Sequence, residues 1–478
     1  MMMVVLYVAA IVALFGLTIL VHEGGHFLVA RALGMVADTF SIGMGPALWK
    51  KKIGATVYKI GLLPIGGYVA LPQMDPNSFL EGDSGGGDEE AVDLTPRREL
   101  PRVAPWKKML VAVAGATGNV VFAFVLATVV WAVGKPASPQ EQNSVIGYVE
   151  AEGAAAAAGV QVGDRVVHVQ GKAVENWVQI SETVALSPEA TIRVGIQSAG
   201  GGAEREVELT AEDSGLGFRV LPELDGMTPC QVASVFPNSG AAAAGLKPGD
   251  VLTALNGVRA YSRAHLVQMV TANGVAEAEV EFRRGGERMT ARIRPMFDEE
   301  EQRPLLGVAF NTLSDMDETM RTHPTPWAQV KGHASSLFLF LRALVTPASS
   351  KAAAGSVGGP VMIFVMFWLM IKSSFVLAVW FTAFLNVNLA VINLLPLPVL
   401  DGGHILFNLW EWVTHRPIPA RVVNVLANLF AVLFVLLFLY LTFRDVMRNR
   451  GVWSSMRMDD PAETVDTPGV FAPEAKEP

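Results

Sequence analysis

Residues 21–27 read VHEGGHF. His22 and His26 stand four apart, so on a helix their rings share one face and can hold one metal ion, with Glu23 projecting beside them. This is the residue set of a zinc site that activates water, in which the carboxylate next to the two imidazoles takes the proton. A catalytic zinc requires a third protein ligand and an open fourth position. Asp401, in the stretch NLLPLPVLDGGH, is the candidate: it closes an apolar run from 375 to 400, and a charge placed there is costly unless it has a function. His404, three residues on, reads as a supporting or interfacial group. The only cysteine is Cys230, which excludes a thiolate metal site and an intramolecular disulfide.

The elements that must position these residues are apolar. Uncharged runs occupy 4–21, 109–133, 352–371, 375–400 and 422–443, each near or above the roughly 18–20 residues that cross a bilayer as a helix. Gly355, Ser356, Gly358, Gly359 and Pro360 interrupt the 352–371 run, which therefore reads as re-entrant or interfacial. The first run lacks a basic leader and a small-x-small cleavage site and leads directly into His22, so it reads as a retained span. His22 and Asp401 both lie at the C-terminal ends of their runs. For the two to meet at one depth the helices must run in the same direction, which the single intervening span 109–133 allows; four spans are expected. The composition agrees, with 51% hydrophobic and 17% charged residues among 478 and a mean hydropathy of +0.37. A net charge of -8, with no Lys/Arg block, excludes a nucleic-acid surface.

Between the spans the polar segments differ in kind. Residues 54–71, GATVYKIGLLPIGGYVAL, alternate β-formers with Gly61, Pro64, Gly66 and Gly67 and read as a hairpin-like element. Residues 75–93 are acidic and Gly-rich and read as a solvated loop. Further on, GVQVGDRVVHVQGKAV at Gly159 aligns with GLKPGDVLTALNGVRA at Gly245, 86 residues later, so one module occurs twice. Each copy resembles the circularly permuted bacterial PDZ domain, a module that adds an extended peptide or chain end to a sheet edge. The LGF at 216–218 reads as a carboxylate-cradling strand of the second copy. Arg31, Lys50, Lys51, Lys52, Arg102, Lys107 and Lys108 flank the membrane ends of the 31–108 connection, and the positive-inside rule puts that connection, with the metal site, on the cytoplasmic side. Arg444, Arg448 and Arg450 after the last span argue the other way.

Taken in order, these features resemble the site-2 proteases, intramembrane zinc metalloproteases of family M50, and among them the bacterial regulator of sigma-E protease type with tandem PDZ domains. His22, Glu23 and His26 match the family's HExxH, and Asp401 its LDG ligand. Phe40 to Trp49 together with 54–71 match its membrane-re-entrant β-loop; Gly115 and Asn119 match its GxxxN segment. The resemblance implies a polytopic α-helical membrane protein with four transmembrane helices, a re-entrant β-hairpin, and two small α/β PDZ domains inserted between spans 2 and 3. The expected boundaries are 1–34 for the first helix, 35–104 for the cytoplasmic loop and 105–134 for the second helix. The PDZ domains take 143–221 and 222–312, an interfacial linker 313–374, the third helix 375–401, a loop 402–421, the fourth helix 422–443, and a disordered tail 444–478.

It further implies one Zn2+ per chain held by His22, His26 and Asp401, Glu23 as the catalytic base, and substrate contacts from Asn388, Asn393, Pro396, Gly66 and Gly67. The expected substrate is a single-span membrane protein such as an anti-sigma factor, trimmed outside the membrane by another protease, or a signal-peptide remnant. The expected setting is the bacterial inner membrane among lipid, with the metal near the cytoplasmic face and the PDZ domains, carrying a peptide or C-terminus, in the periplasm. Two alternatives have distinct signatures. A PDZ-bearing scaffold would have no use for an intact Glu23, and a membrane-anchored metalloprotease acting on soluble peptides would not depend on a spanning substrate.

Overall fold

A computed structural model describes residues 2–74, 101–187, 189–202, 204–213, 219–299, 302–310, 317–347 and 350–448. The chain divides into a helical unit built on 1–135, 323–338 and 357–452 and a β-rich unit built on 136–322 and 339–356. The acidic segment 75–93, the LGF at 216–218 and most of the tail lie outside the described residues.

In the helical unit, α1 (Met2–Ala32) runs unbroken through VHEGGHF because no proline interrupts it. The second helix, α2 (Pro105–Val133), starts on proline at its first turn, where a missing N–H does no harm. Then come α3 (Pro360–Ser373), α4 (Phe375–Asn393), α5 (Asp401–Thr414) and α6 (Ala420–Arg448). Among the described residues four helices, α1, α2, α4 and α6, are long and apolar enough to cross a membrane. With 14 residues α3 is too short, in line with the reading of 352–371 as a non-crossing piece.

Three expectations are corrected here. The third span does not carry Asp401: α4 stops at Asn393, and Asp401 is the first residue of α5, so most of the expected 402–421 loop is helix. Pro396 and Pro398 cannot extend α4. The following glycines let the chain turn back sharply, since a Cβ on Gly402 would strike the carbonyl oxygens of Leu395 and Leu394.

The second correction concerns the hairpin, which spans both segments named by the resemblance, 40–49 and 54–71, and is not contained in 54–71 alone. Its arms are β1 (Thr39–Ile53) and β2 (Thr56–Ala70). Residues 39–42 pair antiparallel with 67–70, Thr39 opposite Ala70 and Ile42 opposite Gly67, and also run parallel alongside 57–60; residues 49–53 return antiparallel to 56–60. Two long arms thus fold into four short strands in the order 67–70, 39–42, 57–60, 49–53. The bend needs glycine: Gly43 and Gly45 sit at φ +82 and +85, open only to residues without a Cβ. Phe40 and Tyr58 pack edge-on against Phe27 of α1 at 5.2 and 5.9 Å, which docks the sheet beside the metal-motif end of that helix.

At the far end of α6, Asp445 is fully buried and accepts hydrogen bonds from the backbone N–H groups of Gly359 and Met362, both 2.9 Å. It caps α3 from another helix, serving two of the donors a helix start leaves free. Arg444, next to it, donates to the Val357 carbonyl.

In the β-rich unit the repeat is plain. The first module has the strand order 172–173, 165–169, 191–197, 205–210 and a helix Trp177–Leu186. The second orders Glu287–Ile293, Ala278–Arg284, Val251–Leu255, Cys230–Val235 and Val308–Phe310, with a helix Arg263–Asn273. The Gly-Asp turns explain the repeated sequence. Asp164 and Asp250 are buried and accept from the N–H three residues earlier, Gln161 and Lys247. Each also pairs with an arginine, Arg205 at 2.5 Å and Arg284 at 2.7 Å. Burial works to raise the Asp250 pKa, but the hydrogen bonds from Arg284 and Lys247 and their charges outweigh it and hold the carboxyl below its usual range.

The third correction is the module boundary. Leu224–Gly226 pairs with Ile146–Val149 and buries Leu224 in the first module's core, so that module extends past 221. Arg219–Val220 pairs with Glu212–Asp213 of the same module, and in the second module Val308–Phe310 is an edge strand.

Candidate metal centre

α1 presents His22 and His26 one turn apart, and the start of α5 brings Asp401 to them. His22 Nε2 and His26 Nε2 are 3.3 Å apart; Asp401 Oδ2 lies 3.5 Å from the first and 3.4 Å from the second. These three are the group with metal-holding geometry among the described residues. Bond lengths of about 2.0–2.1 Å to a tetrahedral zinc imply ligand-to-ligand edges of roughly 3.3–3.4 Å. The observed triangle has that size. Asp401 Oδ2 is buried with no hydrogen-bond partner, an arrangement that is costly unless a cation answers it. The residues fit the ion.

The tautomers agree. His26 Nδ1 is 2.7 Å from the Val111 carbonyl oxygen; only an N–H can donate there, so Nε2 keeps its lone pair for the centre. His22 Nδ1 faces the Asn119 amide at 3.2 Å, while Asn119 Oδ1 is buried without a partner. Exchanging the two amide atoms sets that oxygen against a protonated Nδ1 and frees His22 Nε2 in the same way.

Close helix approach makes this possible. A Cβ on Gly115 of α2 would lie 2.6 Å from His26 Cε1 and 2.8 Å from His22 Cε1, and one on Gly25 would strike the Ala114 carbonyl; Gly24 has nothing within 4 Å. Of the two glycines inside the motif, then, only Gly25 serves helix contact. Across α1 and α4, the buried Asn386 donates to Thr18 Oγ1 at 3.0 Å. The sequence reading missed this pair, although both are isolated polar residues within apolar runs, and that isolation is the signal that marks them.

Glu23 faces the hairpin. A Cβ on Gly67 would be 3.0 Å from Glu23 Cγ and 2.8 Å from Ile19 Cγ2. The Ala70 carbonyl accepts from Asp38 N–H, so alternation along the strand turns the N–H and C=O of Gly67 and Val69 toward the open edge. Glu23 engages the Val69 N–H there. Of the other expected substrate contacts, Asn393 Nδ2 lies 3.5 Å from His22 Nε2. Asn388 is half-buried with an unpartnered Oδ1, Pro396 is exposed, and Gly66 lies against Met44; the structure does not bring these three to the metal ligands.

Comparison with known proteins bears on this arrangement. The chain is 28% identical over 458 residues to a putative zinc metalloprotease of Neisseria meningitidis, covering 92% of this chain and 98% of the other. It is also 28% identical over 470 residues to the regulator of sigma-E protease RseP of Escherichia coli, with the same coverage. Among solved structures, a PDZ domain of an SdrC-like protein from Listeria monocytogenes matches 20% of this chain and 95% of its own length, at 20% identity and a TM-score of 0.17. The model of peptidase family M50 matches residues 10–437, from within α1 to within α6, and the chain belongs to that family.

Proposed function

We propose that this chain is a zinc-dependent intramembrane protease that cuts a single-span membrane protein within or near its membrane segment. The observation that carries the reading is the triangle of His22 Nε2, His26 Nε2 and Asp401 Oδ2, with edges of 3.3–3.5 Å, in the C-terminal half of α1 and at the start of α5, beside an open β-strand. Zinc bound there would polarise a peptide carbonyl and lower the pKa of a bound water toward about 7. Glu23 takes a proton from the attacking water and delivers it to the leaving amine. Placing the site at a helix end gives water a short path into a bilayer.

A helical substrate hides its peptide bonds, and once unwound in lipid its free N–H and C=O groups cost several kcal/mol each. The outward N–H of Gly67 and the outward C=O groups of Gly67 and Val69 offer them partners, and they do so next to Glu23. Asn393 stands on the opposite side as a further donor. The two PDZ-like modules read as a filter or as a reader of a freshly trimmed C-terminus. In the second, Val308–Phe310 is an edge strand of its sheet, the position at which such modules add a peptide. An anti-sigma factor trimmed outside the membrane is the substrate that RseP-type relatives suggest.

The basic residues of 31–108 support a cytoplasmic metal site in a bacterial inner membrane, with the modules on the other side. The opposing argument from the tail weakens, because Arg444 is engaged with the Val357 carbonyl and sits next to the buried Asp445. A reconstituted assay tests the proposal: purified protein in vesicles is offered a single-span substrate and a soluble peptide carrying the same scissile bond. Cleavage of the spanning substrate alone is expected. Equal cleavage of both would instead identify a membrane-anchored protease acting on soluble peptides.

A further inference from the structure

Near the ends of α2, α5 and α6, apart from the metal ligands, the helical unit encloses a cavity of about 390 Å3. Its lining mixes apolar groups, Phe407 and Val423 among them, with Arg102, Lys108, Asn408, Glu411 and two histidines, His404 and His415. The lining is therefore amphiphilic, which suits neither a purely apolar ligand nor a simple inorganic ion.

Its level along the helices matters. The apolar run of α2 begins at Met109, just after Lys108, and that of α6 begins at Val422. Trp106 at the start of α2, and Trp410 and Trp412 near the end of α5, are 44%, 55% and 53% exposed, and exposed tryptophans next to membrane spans mark the lipid headgroup level. The charge is specific as well. Arg102 and Lys108 are positive, Glu411 is negative, and Lys108 Nζ reaches Glu411 Oε2 only at 3.9 Å. Arg102, Lys108 and Glu411 together carry one net positive charge, the complement of a single phosphodiester. The α6 N-terminus adds the positive end of its dipole.

We propose that this cavity binds the headgroup of an anionic phospholipid with one net negative charge, its phosphodiester between Arg102 and Lys108 and the start of its acyl chains along Phe407 and Val423. His404, one turn after Asp401 on α5, places the lipid on the helix that supplies the third candidate metal ligand. Basic pockets between spanning helices recognise phospholipid headgroups by the same chemistry.

Native mass spectrometry of the purified full chain tests this, with phosphatidylglycerol, phosphatidylcholine and inorganic phosphate as probes. Phosphatidylglycerol is expected to be retained over phosphatidylcholine, and Arg102→Gln and Lys108→Gln each to reduce that retention roughly five-fold. Glu411→Gln is expected to raise it, a gain that a misfolded variant cannot show. Arg421→Gln, at an exposed position outside the lining, leaves it unchanged. Equal retention of both lipids would overturn the proposal. Displacement by millimolar inorganic phosphate would make this a site for free phosphate, and an equal loss in Arg421→Gln would reduce it to diffuse surface attraction; either result overturns the lipid site.

Discussion

Gly115 is the position where a single methyl group tests the candidate metal centre. A Cβ there would sit 2.6 Å from His26 Cε1 and 2.8 Å from His22 Cε1, where ordinary contact begins at 3.4 Å. It would strike His26 Nε2, the ligand atom, more closely still, so the His26 ring must move by about 1 Å, several times the roughly 0.2 Å tolerance of a metal–ligand bond. It cannot swing freely, because Nδ1 is held at 2.7 Å by the Val111 carbonyl. Gly115→Ala is thus expected to weaken zinc binding by at least 10–100-fold, the scale seen when groups that orient a ligand are lost. The overpacking itself costs about 1–3 kcal/mol of stability. Zinc affinity by chelator competition and metal content of the purified protein are the measurements. Gly24→Ala, with nothing within 4 Å, is the control: it should keep its zinc and gain up to about 1 kcal/mol from helix propensity. If Gly115→Ala binds zinc as tightly as the wild type, the two rings do not hold the metal in the arrangement described.

Three other perturbations have defined outcomes. Val69→Pro removes an N–H that faces Glu23 rather than the ladder, so the sheet survives; cleavage should slow roughly two- to tenfold, the worth of the one hydrogen bond Glu23 loses, with zinc content unchanged. Asp445→Ala strips two N–H groups of α3 of their acceptor and should lower resistance to denaturant unfolding by about 1–3 kcal/mol, with Asp445→Asn in between. Arg284→Gln should loosen the second module, read as faster hydrogen exchange in Val251–Leu255. Because the folded pKa of Asp250 lies below its unfolded value, the stabilisation is complete above the unfolded pKa near 3.9 and lost as pH falls through the folded one; the gap between variant and wild type should close over that acidic window.

The parts legible in the sequence were those that a local rule governs. Helical spacing alone puts His22 and His26 on one face, and run length together with the Gly/Ser/Pro interruptions of 352–371 yields four spans. Asp401 was legible by type, as a charge closing an apolar run, but its place at the start of α5 depends on how tightly Leu395 packs over Gly402, a contact that spacing does not encode. The hairpin shows the same limit. Gly61, Gly66 and Gly67 suggest turns within 54–71, yet residues 67–70 pair with 39–42, and a pairing register between segments is set by tertiary packing. Thr18 and Asn386 meet across 368 residues of sequence and leave no local trace beyond their polarity.

The most direct test of the central claim is cleavage of an externally trimmed, tagged single-span substrate co-expressed with the wild type or with Glu23→Gln, scored by blot. Glu23→Gln leaves His22, His26 and Asp401 in place and removes only the proton acceptor, so fragment is expected with the wild type and not with the variant. Equal fragment from both would show that Glu23 does not drive the cut and contradict the account.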